Sequence, residues 1–546
     1  MRITTLSGAA VLAALVTACG SPTPGPAARI VSSPAAIEAH VRFLADDLLE
    51  GREAGTRGYQ IAALYAAAQF GELGLTPGGD AGGWYQKVPL LKGQRVLEGA
   101  RFTLQQGGRS SSLKAKDDFL MGVNYDRDAA EVSGGLVFVG QAVRAPELGH
   151  DDLAGVDLKG KIAVMFGGAP ERFADTERAV HGSSREKARD LVAAGAIGTI
   201  YLGNPKDEAK YPWSRATANW ARPGMRLKGK DGKAVDGFPQ LVVNATLPVA
   251  SARRLFEGAP LSYDEAWARV EKGESRSFVL PASATLASRS TTSVIESDNV
   301  VAVLPGSDPA LAGESVVFTA HLDHVGFGAE VEGDSINNGA VDNALGSAIL
   351  LELARQMTRS TVKPRRSAVF VLVTAEEKGL LGAEYFAEYP TVPAAGIVAN
   401  VNMDMPVLRA ELTDVLVFGA QHSSLGPVVE RAVAASGMTV SPDPLPEETV
   451  FVRSDQYAFV RKGIPAVYLD GGIKARDPAV DGKKLLLDFL ETDYHQVSDE
   501  VDKPIHYATA ARMADINLRI GLVVANAPGR PQWNEGDFLG QRFGKK

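Results

Sequence analysis

Two adjacent carboxylates at the end of an apolar run are the first residues in this sequence that could do chemistry. The run is VFVLVTA, Val369 to Ala375, and Glu376 and Glu377 follow it directly. Neighbouring negative charges repel each other unless a cation lies near them. The pair therefore predicts a positive partner at this point, which the rest of the chain must supply or bind.

Other charged side chains follow apolar runs in the same way. SVVFTA ends in His321, IVANVNM ends in Asp404, Asp342 lies just before a predicted helix, and His495 comes far downstream in DYHQVSDE. In open α/β sheets, sites form at the carboxyl ends of the strands. Imidazole and carboxylate ligands together suit zinc or a similar divalent ion, singly or as a pair.

Each of these residues also has an ordinary structural explanation. An aspartate before a helix is commonly its N-cap, so Asp342 alone indicates little. His495 alone reads as a packed or surface histidine, and Asp404 alone as a turn residue. HLDH is more specific, because Asp323 lies two residues from His321 and a carboxylate there can orient the ring. The joint occurrence of these residues at strand ends is what indicates a metal site.

The elements that must position these residues are visible in the apolar pattern. From Asn299 onward, short runs that are apolar throughout alternate with helices, which predicts an α/β fold with a mostly parallel sheet flanked by helices. Two helices are predicted in the N-terminal part, separated by EGREAGTRG. Residues 131–285 contain strands, an amphipathic helix and many glycines, which predicts a compact module of its own.

Composition and the N-terminus narrow the classes of function. The 546 residues carry a net charge of −8 without a basic stripe, so we do not expect a nucleic-acid partner. Arg2, a short apolar core and small residues before position 19 predict a secretory signal over residues 1–18. VTAC resembles a bacterial lipobox, which predicts lipidation of Cys19, the one cysteine, and a membrane contact only through that anchor. Gly20 resembles the context that directs such proteins to the periplasmic side of the outer membrane, and the alternative is a soluble periplasmic or secreted protein. Residues 19–34 read as a tether.

Five motifs in order carry a resemblance to a known family. AHLDHVG, GAVDNALG, TAEEKGLLG, NMDM and YHQVSDE resemble the zinc aminopeptidases of family M28. The resemblance implies the zinc exopeptidase fold (phosphorylase/hydrolase-like) for residues 35–130 and 286–529. Residues 131–285 resemble the β-rich protease-associated (PA) domain often inserted in these enzymes, and residues 530–546 are predicted to be a C-terminal extension.

The resemblance also implies which residues bind metal. His321 and Asp404 would hold one zinc ion, Glu377 and His495 would hold a second, and Asp342 would bridge the two. The expected cofactor is therefore two Zn²⁺ per chain, and the expected substrates are peptides or small proteins.

Further roles are implied for residues that do not bind the ions. Glu376 would be the general base and acid, and Tyr494 would donate a hydrogen bond to the developing oxyanion. Asp323 and Asp499 would orient the two histidine ligands.

The substrate pocket is expected near RSDQYAFVRKGIPAVYL, where Arg453 and Asp455 are candidates to contact the substrate. Here the chain departs from the family pattern, with Gln456 where histidine is common and Ala458 where proline is common.

We expect an aminopeptidase. The alternatives are a carboxypeptidase, in which Arg453 would hold the terminal carboxylate, a one-zinc glutaminyl cyclase-like acyltransferase, and a non-catalytic peptide-binding relative. A structural ion pair is the ordinary explanation for Arg453.

Overall fold

A single large sheet runs through most of the protein. In the computed structural model, which describes residues 31–544, sixteen strands are joined in one mixed sheet, and helices cover its central part. The predicted α/β fold with a mostly parallel central sheet is confirmed. The predicted signal, Cys19 and most of the tether lie outside the described residues. Among residues 31–544, no helix is both long and apolar enough to cross a bilayer.

The strands are short in the half of the protein that contains the predicted catalytic residues, which we call the catalytic half, and long where this half meets the rest of the sheet. In chain order they are β1 Thr76–Pro77, β2 Tyr85–Gln106, β3 Arg109–Leu113, β4 Leu120–Met121, β5 Ala129–Phe138, β6 Arg144–Ala145, β7 His150–Asp151, β8 Ile162–Phe166, β9 Gly198–Leu202, β10 Gly224–Leu227, β11 Val243–Leu247, β12 Phe278–Leu304, β13 Ser315–His321, β14 Gly326–Val331, β15 Asp334–Asn337, β16 Ser367–Val373, β17 Ile397–Asn402, β18 Asp414–Phe418, β19 Thr439–Ser441 and β20 Ala466–Gly471.

The helices lie between these strands and at the two ends of the described chain. They are α1 Pro34–Leu44, α2 Arg57–Glu72, α3 Asp175–Gly182, α4 Ser184–Ala193, α5 Pro205–Lys210, α6 Trp213–Ala218, α7 Val249–Ala252, α8 Tyr263–Glu271, α9 Gly346–Arg359, α10 Leu381–Glu388, α11 Gly426–Ala435, α12 Gln456–Val460, α13 Gly482–Thr492, α14 Tyr507–Asn526 and α15 Phe538–Phe543. The two predicted N-terminal helices are thus α1 and α2.

Four parallel strands in the order β20-β17-β13-β16 form the centre of the catalytic half. Successive side chains of a strand point to opposite faces. Phe318 of β13 accordingly packs in a core with α9 and α14, whereas Val317 packs on the other face with Phe386 of α10 and Phe459 of α12. Because both faces are covered, the strands are apolar throughout, and their carboxyl ends meet at one edge.

A second hydrophobic core defines the other half. It lies on parallel strands in the order β5-β8-β9-β11 and under helix α8. We call this unit the inserted module. Its core runs from Phe102 to Leu286 and includes Phe119, so it also contains residues that precede position 131. The domain boundaries and the PA identity stay predictions. Strands β2 and β12 pair antiparallel over most of their length and connect the inserted module to the catalytic half.

Candidate metal centre

The carboxyl ends of the parallel strands bring one group of ligand side chains together. His321 is the last residue of β13, and Asp404 follows β17 by two residues. His321 Nε2 lies 2.9 Å from Asp404 Oδ1 and 3.2 Å from Asp342 Oδ1, and all three residues are buried. These three atoms are close enough to bind one ion.

A second group shares Asp342 with the first. His495 Nε2 lies 3.2 Å from Asp342 Oδ2 and 2.9 Å from Glu377 Oε2. His324 Nδ1 lies 2.7 Å from Glu377 Oε1 and 3.8 Å from Asp342 Oδ2. Each oxygen of Asp342 therefore faces a different group, which is the arrangement that a bridging carboxylate requires.

The second group fits a cation better than it fits hydrogen bonding within the protein. Both ring nitrogens of His324 and Glu377 Oε1 are buried and have no hydrogen-bond partner, although Nδ1 and Oε1 are 2.7 Å apart. His324 Nδ1 and Glu377 Oε1 thus lie close together without a hydrogen bond between them. Two ligands of a common metal ion have this arrangement. Imidazole nitrogens with carboxylate oxygens are ligands that zinc prefers. The residues present therefore fit a pair of divalent ions.

Charges within the two groups compensate each other strongly. Burial and Glu377 would raise the pKa of Asp342, but hydrogen bonds from His321 and His495 outweigh them and lower that pKa to about 2. Burial would lower the pKa of His495, but Glu377 and Asp342 raise it to about 9. No Lys or Arg of the described residues lies within 4.0 Å of the ligand carboxylates, so the positive groups in direct contact with them are histidines, or a cation when one is bound.

His324 is a residue that the sequence analysis did not assign to the site. It is fully buried, and its ring lies edge-on to the His495 ring with the centroids 5.6 Å apart. The signal was present in the sequence, because His324 is the second histidine of HLDH. A choice between His324 and His495 as ligand needs the fold, since the two rings reach Glu377 from distant parts of the chain.

Asp323 contacts the site differently from the expectation. The His321 ring nitrogen Nδ1 lies 3.0 Å from the backbone carbonyl of Asp323 and not against its carboxylate. The carboxylate instead accepts hydrogen bonds from the amides of Glu376 at 3.1 Å and Glu377 at 3.4 Å. Amides at the start of the turn after β16 have no partner within that turn, and the Asp323 side chain provides one. Asp323 thereby fixes the backbone that carries both glutamates.

Asp499 also differs from the expectation that it orients His495. Its carboxylate accepts hydrogen bonds from the amides of Val341 and Asp342, each at 3.0 Å. The loop before α9 brings these two amides inward together. Asp499 therefore holds the backbone of Asp342, the residue shared by the two groups.

Arg52 supports the same loops from the N-terminal segment and was not predicted. Its guanidinium is fully buried and donates hydrogen bonds to the carbonyls of Leu322 at 2.9 Å, Asn338 at 2.6 Å and Gly339 at 3.1 Å. One rigid side chain thus links the loop after His321 to the loop before Asp342.

A cavity opens beside the ligand groups. Glu376, Tyr494 and Arg453 line it together with four of the predicted ligands, His321, Asp342, Asp404 and His495. The Tyr494 ring stacks on the His495 ring with centroids 3.9 Å apart, and an Arg453 nitrogen lies 3.4 Å from the Tyr494 hydroxyl. These positions are compatible with the predicted roles, which stay predictions.

Asp455 does not line this cavity. It is fully buried, and neither of its carboxylate oxygens has a hydrogen-bond partner. Because Asp455 is buried at the N-terminal end of α12 and lies outside the cavity lining, the structure does not support a direct contact with substrate. Burial raises the pKa of Asp455 well above its usual value, and Asp404 adds to the shift.

Comparisons with known proteins relate part of this chain to a family of peptidases. Residues 299–521 match the sequence profile of peptidase family M28. Leupeptin-inactivating enzyme 1 of Streptomyces exfoliatus is 36% identical over 109 residues, which are 20% of this chain and 22% of that protein. A glutamate carboxypeptidase 2 homolog of Caenorhabditis elegans is 24% identical over 367 residues, 59% of this chain and 43% of that one. The matches thus span less than half of these relatives.

The fold recurs in a solved structure. The aminopeptidase from Aneurinibacillus sp. strain AM-1 superposes with a TM-score of 0.53 at 20% identity, and the alignment covers 91% of this chain and 95% of that one. The residues that match the family profile, 299–521, are less than half of the chain. The structural likeness covers 91% of the chain and therefore extends beyond the catalytic half.

Proposed function

Because residues 299–521 form a domain of peptidase family M28, we propose that this protein is a two-zinc exopeptidase that releases N-terminal residues from peptides. The observation that supports it best is the pair of ligand groups that share Asp342 beside an open cavity. His321, Asp342 and Asp404 would hold one ion, and Asp342, Glu377 and His495 would hold the other.

The chain's own residues supply the proton transfers and the orientation. When bound, zinc lowers the pKa of a coordinated water and polarises the scissile carbonyl. Glu376 lines the cavity outside both ligand groups, so its carboxylate is free to accept the proton of the attacking water and to deliver it to the leaving amine. The Tyr494 hydroxyl, at the same wall, would donate a hydrogen bond to the oxyanion.

The charges around the cavity favour a free amino terminus over a free carboxyl terminus. Arg453 is the one Lys or Arg among the described residues that line it, and it is already within 3.4 Å of Glu448. Carboxylates are more numerous, and Glu376 and Asp404 lie where they could accept hydrogen bonds from an ammonium group.

Peptides blocked at one end test the proposal directly. We expect the zinc-loaded protein to release the first residue of a tetrapeptide with an amidated C-terminus and to leave its N-acetylated counterpart intact. A third peptide is N-acetylated and has a free C-terminus. If only this peptide is cleaved, the carboxypeptidase alternative is established. An intact protein that binds peptides and cleaves none would be a non-catalytic relative.

We further propose that the protein is exported and anchored through a lipid on Cys19. The support is the sequence of residues 1–20 alone. Cys19→Ser should convert a membrane-associated protein into one that is released in soluble form, measured by fractionation and by incorporation of labelled palmitate. Equal fractionation of the two proteins would contradict the anchor.

A further inference from the structure

The cavity beside the metal centre continues into a pocket with mainly apolar walls. One wall is a face of the sheet, where Phe418 of β18 pairs with Tyr468 of β20 and their rings stack at 5.2 Å. Leu486 and Leu490 of α13 form another wall. Apolar walls of this kind accept a long hydrocarbon chain.

Two carboxylates interrupt the apolar lining. Asp470 lies two residues beyond Tyr468 on the same face of β20, opposite Leu416 of β18, and Asp443 lies nearby in the same lining. Asp470 is 5% exposed, and its Oδ1 accepts hydrogen bonds from the backbone amides of Val407 and Gly471.

No side-chain cation compensates these two charges. Among the described residues, no Lys, Arg or His nitrogen lies within 4.0 Å of the carboxylate of Asp470 or Asp443, in contrast to the ion pairs made by Glu448 with Lys210 and Arg453 at the mouth of the cavity. An ionised carboxylate that is buried without a cation is costly. Burial raises the pKa of Asp470 to about 8, and Asp404 and Asp443 add to the shift. Asp470 is therefore largely protonated at neutral pH in the free protein, and a cation that enters the pocket would stabilise its ionised form.

The distance from the metal centre suits a basic amino-acid side chain. Asn402 pairs with Tyr468 across neighbouring strands, and Asp404 and Asp470 each follow two residues later. Neighbouring strands are about 4.8 Å apart, so Asp470 lies near the end of the sheet that carries Asp404. The stem of a lysine spans roughly 6 Å from Cα to Nζ, by the sum of its bond lengths. A residue whose α-amino group is held at the metal centre could therefore reach Asp470.

We propose that this pocket receives the side chain of the substrate's first residue and selects lysine and arginine through Asp470 and Asp443. The inference rests on the proposed aminopeptidase function. The apolar walls would contact the methylene stem, and the carboxylates would accept hydrogen bonds from the charged end.

Lysine and norleucine derivatives provide the test, because the two side chains have nearly the same shape and differ in charge. For the zinc-loaded full chain we expect kcat/KM for lysyl p-nitroanilide to exceed that for the norleucyl compound by about tenfold or more. In Asp470→Asn and in Asp443→Asn the ratio should fall towards one. Asp488→Asn, on the solvent side of α13, removes the same charge outside the pocket and should keep the wild-type ratio.

Binding separates failure of this inference from failure of the proposed function. Lysine hydroxamate should bind the zinc-loaded protein more tightly than norleucine hydroxamate by titration calorimetry, whether or not either anilide is cleaved. If neither anilide is cleaved, the proposed function fails, and the ratio of the two dissociation constants still decides the pocket's selectivity. Equal or tighter binding of the norleucine compound by the wild-type protein would overturn the inference, as would a ratio that survives in both pocket variants.

Discussion

Glu376 and Glu377 are neighbours in the chain, yet their surroundings give them opposite electrostatic properties. Burial raises the pKa of Glu376 well above its usual value, and Asp404 and Glu377 add to the shift. Burial would also raise the pKa of Glu377, but the facing His495 and His324 outweigh it and lower that pKa well below its usual value. Glu377 is therefore suited to hold a cation, and Glu376 is suited to take up and release a proton.

Glu376→Gln separates these two properties. We expect turnover to fall by about 10²- to 10⁴-fold because the proton acceptor is lost. Zinc content should stay at the wild-type value, since Glu376 belongs to neither ligand group. Turnover and zinc should be measured on the same sample, with Glu388→Gln on the exposed side of α10 as the control. Wild-type turnover in Glu376→Gln would remove it as the base.

His324 gives a second prediction at the residue scale. Its Nδ1 lies 2.7 Å from Glu377 Oε1, so it either binds the second ion or fixes the carboxylate that does. For His324→Gln we expect the affinity for the second zinc ion to fall by about 10- to 100-fold, the usual effect of losing such a contact. Competition with a chelator measures it, and His40→Gln in α1 is a distant control. Unchanged affinity would mean that His324 has no part in metal binding.

The types of residue at the site followed from the sequence, and the individual contacts did not. Charged residues that end buried strands converge for a general reason, so His321 and Asp404 could be grouped without a structure. Whether the Asp323 side chain or its carbonyl meets His321 depends on the path of one loop. That path is set partly by Arg52, nearly 270 residues away in the chain, and no local pattern reports such a contact.

At the scale of elements, the short buried strands were predictable and the long connecting strands were not. β13 and β16 are continuous apolar runs because both faces of the sheet are covered. β2 is 22 residues long but contains a proline and two glycines, and its burial changes along its length as it leaves one module for the other. Its sequence therefore has no single period to recognise.

Helix α4 of the inserted module carries a buried lysine that should make stability depend on pH. Burial lowers the pKa of Lys187 from 10.5 to about 7. Between these values the unfolded chain binds a proton that the folded chain lacks, so the contribution of Lys187 to the free energy of unfolding rises with pH, by at most about 1.4 kcal/mol per pH unit.

Lys187→Met isolates this contribution. We expect the free energy of unfolding of the wild type, minus that of the variant, to increase from pH 7 to pH 10 and to be constant below pH 6. Urea unfolding of both proteins at each pH provides the difference, in which titrations common to both cancel. A difference that is flat or falls with pH over this range would show that Lys187 is charged in the folded protein.

The C-terminal segment 530–544 connects the two modules. Asp537 Oδ2 lies 2.6 Å from His422 Nδ1 of the catalytic half, and Arg542 donates a hydrogen bond to Glu186 of the inserted module at 2.6 Å. Leu539 is fully buried in a cluster that also contains Val180 of α3 and residues behind the substrate pocket. No role was predicted for this segment, because the contacts that join it to the two modules are made with residues far away in the chain.

Leu539→Ala should loosen this connection. Truncation of a buried leucine costs about 2–5 kcal/mol, so we expect a lower thermal midpoint and a higher KM for a tripeptide at unchanged zinc content. Gln541→Ala, exposed on the same helix, is the matched control. A variant with wild-type stability and KM would indicate that the segment does not pack in this way in solution.

For the whole molecule, the two modules meet at the substrate cavity. Tyr211 of the inserted module lines it, Lys210 forms an ion pair with Glu448 at 2.8 Å, and Arg215 donates a hydrogen bond to the carbonyl of Tyr494. The inserted module therefore shapes the entrance to the cavity. The metal centre itself belongs to the catalytic half alone.

The number of zinc ions per chain tests the shared metal centre most directly, because two ligand groups that share Asp342 should hold two ions. The protein should be stripped with a chelator, titrated with zinc and analysed by mass spectrometry of the metal, beside Asp342→Asn. We predict two zinc ions for the wild type and a loss of at least one for the variant. One ion or none in the wild type, or two in Asp342→Asn with unchanged affinity, would contradict a shared centre.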